Sequence, residues 1–290
     1  MHSRSLWTLL AAGLALTLLP GAAAAQPIHP QWSPDGEWIA FYERVGDQAA
    51  IRRVRPDGSD LETVVSDGGY HANPSWSADG RSITVASSPE GMNGTWDVFT
   101  IDLTRRDWAR LTDTPEREMH THVSVGGSVA FVRMTADGSD VWTVDASGIE
   151  SQVTHTPARE FHPKWAPDGT RLAFDSTEDG RQVVRIYDVA SGVTTTLPGT
   201  GARAGTPAWF PDSDRLVFGM QDAEGTTNLY SARPDGSERV RLTDLAGETG
   251  APFVSPDGGQ VAFHSNHEGG WGIYVLDLAD GAVTRIDGGS

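Results

Sequence analysis

Pro30-Gln31-Trp32-Ser33-Pro34-Asp35-Gly36-Glu37-Trp38-Ile39-Ala40-Phe41 is the stretch that decides the fold. Its centre, Trp32-Ser33-Pro34-Asp35-Gly36, returns as Trp76-Ser77-Ala78-Asp79-Gly80 and Trp165-Ala166-Pro167-Asp168-Gly169. It returns again as Trp209-Phe210-Pro211-Asp212-Ser213 and Val254-Ser255-Pro256-Asp257-Gly258. The turn aspartates stand at 35, 79, 168, 212 and 257, so they are 44, 89, 44 and 45 residues apart. The gap of 89 is two periods. It places a further copy near residue 124, and Val123-Ser124-Val125-Gly126-Gly127 stands there in worn form.

The flanking residues repeat too. An apolar strand follows each turn: Ile39-Ala40-Phe41, Ile83-Thr84-Val85, Val129-Ala130-Phe131, Leu172-Ala173-Phe174, Leu216-Val217-Phe218 and Val261-Ala262-Phe263. A polar loop leads to a third strand, such as Val98–Asp102 or Ile273–Asp277, and a fourth is expected at Leu111-Thr112, Val153-Thr154 and Leu242-Thr243. Asp-Gly supplies the positive φ of a tight hairpin turn, and a preceding proline presets its first angle. Short β-branched and aromatic runs between such turns make antiparallel hairpins. Four strands per period cannot continue as one flat sheet, because twist and open edges forbid it. Radial repetition removes the edges. The expectation is therefore an all-β chain, a six-bladed β-propeller of four-stranded antiparallel blades. The blades fall near residues 29–70, 71–118, 119–160, 161–204, 205–249 and 250–290. The recurring tryptophan fills the space between neighbours. No strand-exchange clasp is visible, so closure is expected from the first blade packing on the last.

The chain has 290 residues, with 39 Asp+Glu against 22 Lys+Arg, a formal charge of -17 and no cysteine. That charge disfavours nucleic acid as a partner. The missing cysteine excludes disulfides, a thiolate nucleophile and Cys-ligated metal. Residues 1–25 read as a signal peptide: Arg4, an apolar run from Leu6 to Leu19, then Ala23-Ala24-Ala25 before a cleavage at Gln26. The mature protein is expected to be exported, periplasmic or secreted, without membrane insertion, and monomeric.

Pro-x-Trp-Ser-Pro-Asp-Gly-x-x-Ile-Ala-Phe resembles the repeat of TolB-type propellers. Pro30 to Phe41 matches it nearly residue for residue, and Pro163 to Phe174 and Pro252 to Phe263 match with small departures. The likeness covers the whole mature chain. The α/β domain that precedes the propeller in TolB has no expected counterpart here. Similar propellers precede the hydrolase domain of prolyl-oligopeptidase-like peptidases, but the sequence holds no Gly-x-Ser-x-Gly elbow. The resemblance implies a binding scaffold whose channel mouth receives an envelope or secreted protein.

The candidate chemistry lies in histidines that keep register. His29 precedes Pro30, and His162 precedes Pro163. Thr114-Pro115-Glu116-Arg117-Glu118-Met119-His120-Thr121-His122 aligns with Thr156-Pro157-Ala158-Arg159-Glu160-Phe161-His162-Pro163-Lys164. His71 lies two residues before the equivalent Asn73, and Thr206 and Ala251 fill the position in the last two blades. At the start of innermost strands, His29, His71, His120, His122 and His162 would ring one channel mouth with Glu118, Glu160, Arg117 and Arg159. Imidazoles converging from several blades can hold a divalent metal, with His120, His122 and His162 as the candidate ligands. No cofactor is otherwise required.

The resemblance extends to oligogalacturonate lyases, which hold a catalytic metal with propeller histidines. On that alternative the partner is an acidic oligosaccharide, a glutamate acts as base or orienter, and an arginine grips a substrate carboxylate. A metal or ligand sensor without turnover is a third reading. Copying of one ancestral residue also places histidines in register without any site. His264 to Glu268 read as a solvated loop, and the turn aspartates as caps of their own turns. Trp38, Trp96, Trp108 and Trp271 fall off the tryptophan register.

Overall fold

The structure, a computed structural model, describes residues 25–201 and 203–289. Residues 1–24 of the expected signal peptide lie outside them. Every regular element among the described residues is a strand, and none of them forms a helix long and apolar enough to cross a membrane.

The strands run as successive antiparallel meanders. The first is Gln26–Trp32, Ile39–Val45, Gln48–Val54 and Glu62–Val65. The last is Thr249–Val254, Gln260–Ser265, Gly272–Asp277 and Val283–Arg285. Hydrogen bonding gathers the strands into four sheets, two of eight strands and two of four. Each eight-stranded sheet is two meanders joined at a single parallel pair, Ala49↔Tyr70 in one and Ser139↔Arg159 in the other. The fourth strands end just before the expected threonines. Those threonines instead cap a third strand, each hydroxyl accepting a backbone N–H: Val98 to Thr112, Val141 to Thr154 and Leu229 to Thr243, all at 2.9 Å.

The turns form as their chemistry dictates. Asp35 Oδ1 accepts the Glu37 N–H at 3.0 Å and the Ser33 hydroxyl at 2.5 Å, while Gly36 takes φ 74°. These bonds hold the Asp35 carboxyl below its ordinary range against the opposing effect of burial. The worn copy keeps the turn through Ser124, whose hydroxyl accepts the Ser128 N–H.

Each first strand packs on the next around a ring: Gln26–Trp32, Tyr70–Trp76, Arg117–Val123, Arg159–Trp165, Ala204–Trp209 and Thr249–Val254, which packs back on Gln26–Trp32. The repeated tryptophans lock neighbours together. Trp76 Nε1 donates to Gln31 O at 3.2 Å and Trp209 Nε1 to Lys164 O at 3.1 Å. Closure is apolar, with Trp32, Ile39 and Phe41 sharing one core with Ala262, Ile273 and Ile286.

The ring has one strained feature in six copies. His29, Asn73, His120, His162, Thr206 and Ala251 all have positive φ, between 45° and 58°. Each marks a break in register between a first strand and its neighbour, a β-bulge. A left-handed L-residue costs about 1–2 kcal/mol. Ala251→Gly is therefore expected to stabilise the fold by about 0.5–1 kcal/mol in urea unfolding. An unchanged or lower midpoint would show that the buried methyl outweighs the backbone strain.

Candidate functional site

The bulges decide what the channel presents. Their six residues line one narrow cavity of about 20 Å³ on the ring axis. Side chain-to-backbone bonds then pass around the ring and fix it. The His120 N–H donates to Asn73 Oδ1 at 3.2 Å and the Thr206 N–H to Asp175 Oδ1 at 3.1 Å. The Ala251 N–H donates to Thr206 Oγ1 at 3.1 Å, and the His29 N–H to His264 Nδ1 at 3.3 Å.

His29, His120 and His162 bring one ring nitrogen each to within 4.8 Å of the others. Their ring centroids lie 4.2 Å apart for His120 and His162, and 5.1 Å for His29 and His162. His162 Nδ1 pairs with the buried Asp175 carboxylate at 2.7 Å. That pairing orients the ring and leaves Nε2 free, as carboxylates do for metal-binding histidines. His120 Nδ1 is buried without a partner. Burial, and then the mutual repulsion of neighbouring imidazoles, holds His29 and His120 well below the ordinary histidine range. Neutral imidazoles bind metal. Three converging imidazoles make a donor set of the kind that holds a divalent ion.

The other expected members of the site stand elsewhere. His71, displaced from the bulge by two residues, is buried inside its sheet between Ser87 Oγ at 2.9 Å and Asp67 Oδ1 at 2.7 Å. His122 points along the channel in the opposite direction, touches Phe253, and its Nδ1 accepts the Trp165 N–H at 3.0 Å. Thus His122 is not part of the imidazole cluster. Glu118 and Glu160 are wholly buried between neighbouring meanders. Glu118 binds Arg133 at 2.8 Å and accepts from Thr112 and Thr114. Glu160 accepts from Thr156 at 2.9 Å. Arg117 lies over the Trp96 ring at 4.4 Å, and Arg159 is exposed. Glu118 and Glu160 stand two residues before a bulge, which breaks the alternation that would otherwise put them on the face of His120 and His162.

Two residues of the channel escaped the sequence reading. His264 lies on a second strand, not in a solvated loop, with its ring 5.4 Å from His29 and 5.0 Å from Trp271. Burial and His162 push it down to about 3. Lys164 lines the channel below the imidazoles, and burial lowers it to about 8. Its signal was present in the composition, because it is the only lysine of the chain.

The two ends of the channel differ. At the imidazole end, every loop between a second and a third strand carries an exposed carboxylate: Asp47, Glu90, Asp137, Asp179, Glu224 and Glu268. At the other end, where the Pro-Asp-Gly turns lie, the channel widens into a funnel of about 330 Å³ walled by Trp32, Trp76, Trp165, Trp209 and Phe253. An acidic rim around neutral imidazoles draws cations inward.

A radially packed ring of antiparallel meanders around a lined axial channel defines a β-propeller. The family described as the TolB beta propeller domain (PD40) matches residues 129–289, and the chain belongs to that family. The chain is 34% identical over 155 residues to the "Tol-Pal system protein TolB" of Bordetella pertussis, a match covering 53% of this chain and 35% of that protein. The match thus spans about a third of the relative's length. Among solved structures, TolB from Acinetobacter baumannii superposes with a TM-score of 0.73 at 16% identity, over 93% of this chain and 65% of that one. An oligogalacturonate lyase in complex with manganese superposes with a TM-score of 0.61 at 16% identity, over 87% and 77%. At these identities the structural likenesses establish the fold alone.

Proposed function

We propose that this chain is an exported six-bladed propeller, with blades near the boundaries given above, that acts as a binding scaffold. An envelope or secreted protein docks at the imidazole mouth, and the scaffold works as a monomer. Membership of the TolB propeller family is the observation that carries this reading, and the name of the Bordetella relative places that protein in an envelope system. The bulge ring adds physical support. Its inter-strand bonds preorganise the mouth, so little conformational entropy is lost on docking.

The convergence of His29, His120 and His162 favours a second reading, a divalent-metal site at the same mouth. Manganese in the superposed lyase gives this reading a chemical neighbour. It also keeps an acidic oligosaccharide as the alternative ligand, either turned over or simply sensed. No catalytic role is assigned to Glu118 or Glu160, because both are buried away from the axis.

One pair of proteins tests both readings: the mature chain and its His120→Ala, His162→Ala double variant. The mature chain, equilibrated with manganese, zinc or nickel and then desalted, is expected to retain about one ion per chain by mass spectrometry, and the variant none. Cross-linking in an envelope extract, followed by reconstitution with the purified partner, is expected to give a complex that the variant weakens. Equal ion retention by both proteins removes the metal site. Equal binding of the purified partner removes docking at this mouth.

A further inference from the structure

Lys164 is the only lysine in a chain whose other 21 basic residues are arginines. It stands at the waist of the channel and lines both the imidazole cavity and the funnel. Its position follows from the repeat. It comes two residues after the bulge at His162 and immediately before Trp165, so it faces the axis on the funnel side of the imidazoles. Many of the arginines pair with carboxylates, as Arg52 does with Glu43 and Arg110 with Asp97. The Lys164 ammonium has no carboxylate and no hydrogen-bond acceptor among the described residues. Its Nζ lies 5.4 Å from the centroid of the Phe253 ring.

An uncompensated cation in a largely apolar space is costly unless something supplies the counter-charge. No carboxylate lines either cavity that Lys164 reaches. The walls above it are the indole rings of Trp32, Trp76, Trp165 and Trp209. Lys164 is thus the one cationic side chain of the funnel lining, and no carboxylate stands in that lining. The funnel is the size of a small-molecule site, with an apolar wall and a single charged group that would fix orientation.

We propose that the funnel binds a small organic carboxylate with an apolar body, the carboxylate on Lys164 and the hydrocarbon or aromatic body against the tryptophans. A single ammonium with no arginine fork beside it suits a monoanion rather than a phosphate. The site lies at the opposite end of the channel from the imidazole mouth and does not depend on the partner or metal readings above.

The lone lysine makes the test direct. Reductive methylation of the mature protein with carbon-13 formaldehyde labels two amines, Lys164 and the N-terminus. Titration with 4-phenylbutyrate is expected to shift the Lys164 signal saturably, whereas 4-phenylbutyramide leaves it in place. Calorimetry on unlabelled protein is expected to show the acid binding at least ten-fold tighter than the amide, with acetate too weak to measure. Lys164→Met is expected to bring the acid down to the amide's level. Octanoate in place of phenylbutyrate reports whether the wall prefers an alkyl or an aromatic body. Equal binding of acid and amide, full binding of the acid by Lys164→Met, or no binding of either at millimolar concentration would overturn the proposal. So would a peptide binding through its free C-terminus while the small acids do not. If Lys164→Met does not fold, the labelled wild-type protein still decides between these outcomes.

Discussion

Chelator-treated protein is expected to lose stability steeply as the pH falls from 7 to 5. His29, His120 and His122 are held well below the ordinary histidine range by burial, and His264 is held at about 3. In the unfolded chain these imidazoles take up protons near pH 6.5. Below that pH the unfolded state binds more protons than the folded state, so the linkage makes stability rise with pH and fall on acidification. Each such group contributes about 1.4 kcal/mol per pH unit within its window, so His264 alone accounts for roughly 2 kcal/mol by pH 5. The other three act in the same direction. Burial raises Glu118 and Glu160, which therefore favour the folded state on acidification and oppose the trend. The turn aspartates are held below their ordinary range and do not contribute above pH 5. Urea midpoints at pH 7.5, 6.5 and 5.5 measure the effect, and a midpoint that does not move would mean that the channel imidazoles take protons in the folded state. A divalent ion should protect the midpoint in the upper half of this range if it binds the neutral cluster.

Arg133→Met is expected to cost about 3–5 kcal/mol and to leave metal retention unchanged. Arg133 is 8% exposed and Glu118 0%. Arg133 grips the Glu118 carboxylate through Nε, reaches Glu150 at 2.6 Å, and lies 4.3 Å above the Trp142 ring. Without the guanidinium, Glu118 keeps only the Thr112 and Thr114 hydroxyls in a site that already disfavours its charge. A buried charge stripped of its partner is far more damaging than the absence of the pair. The double variant Glu118→Leu, Arg133→Met should therefore recover part of the loss, as read by urea unfolding. If Arg133→Met loses metal instead of stability, then Glu118 belongs functionally to the channel, and its placement between the meanders is wrong.

The contrast between Glu118 and His120 shows where the sequence became hard to read. Alignment placed Glu118, His120 and His122 together in one strand, matched by Glu160, His162 and Lys164. All of these but Lys164 seemed to belong at one mouth. A regular strand would indeed present alternate residues to one face. The bulge at His120 breaks that alternation, sending the imidazole to the axis, Glu118 into the interface and His122 towards the funnel. Nothing in the spacing of charged or aromatic residues marks a bulge whose left-handed residue is not glycine. The proline after most of these positions was visible, and it has no N–H to give to the ladder just where the register slips.

The sequence by itself determined the period, the turns and the all-β class, because these rest on local chemistry. Asp-Gly must turn, Pro-Asp presets the angle, and an apolar triplet after the turn must find a partner strand. It also carried the lone lysine, in composition alone. Only the tertiary structure decided which residues meet across the ring. His29, His162 and His264 are separated by more than a hundred residues and come from different meanders. Their meeting depends on the small backbone rotation at each bulge, repeated around an axis, and so does the division of the channel into an acidic, imidazole-lined end and an apolar end. Local propensity fixes a repeat unit. The direction in which its side chains point at a common axis is set by how the units close on one another.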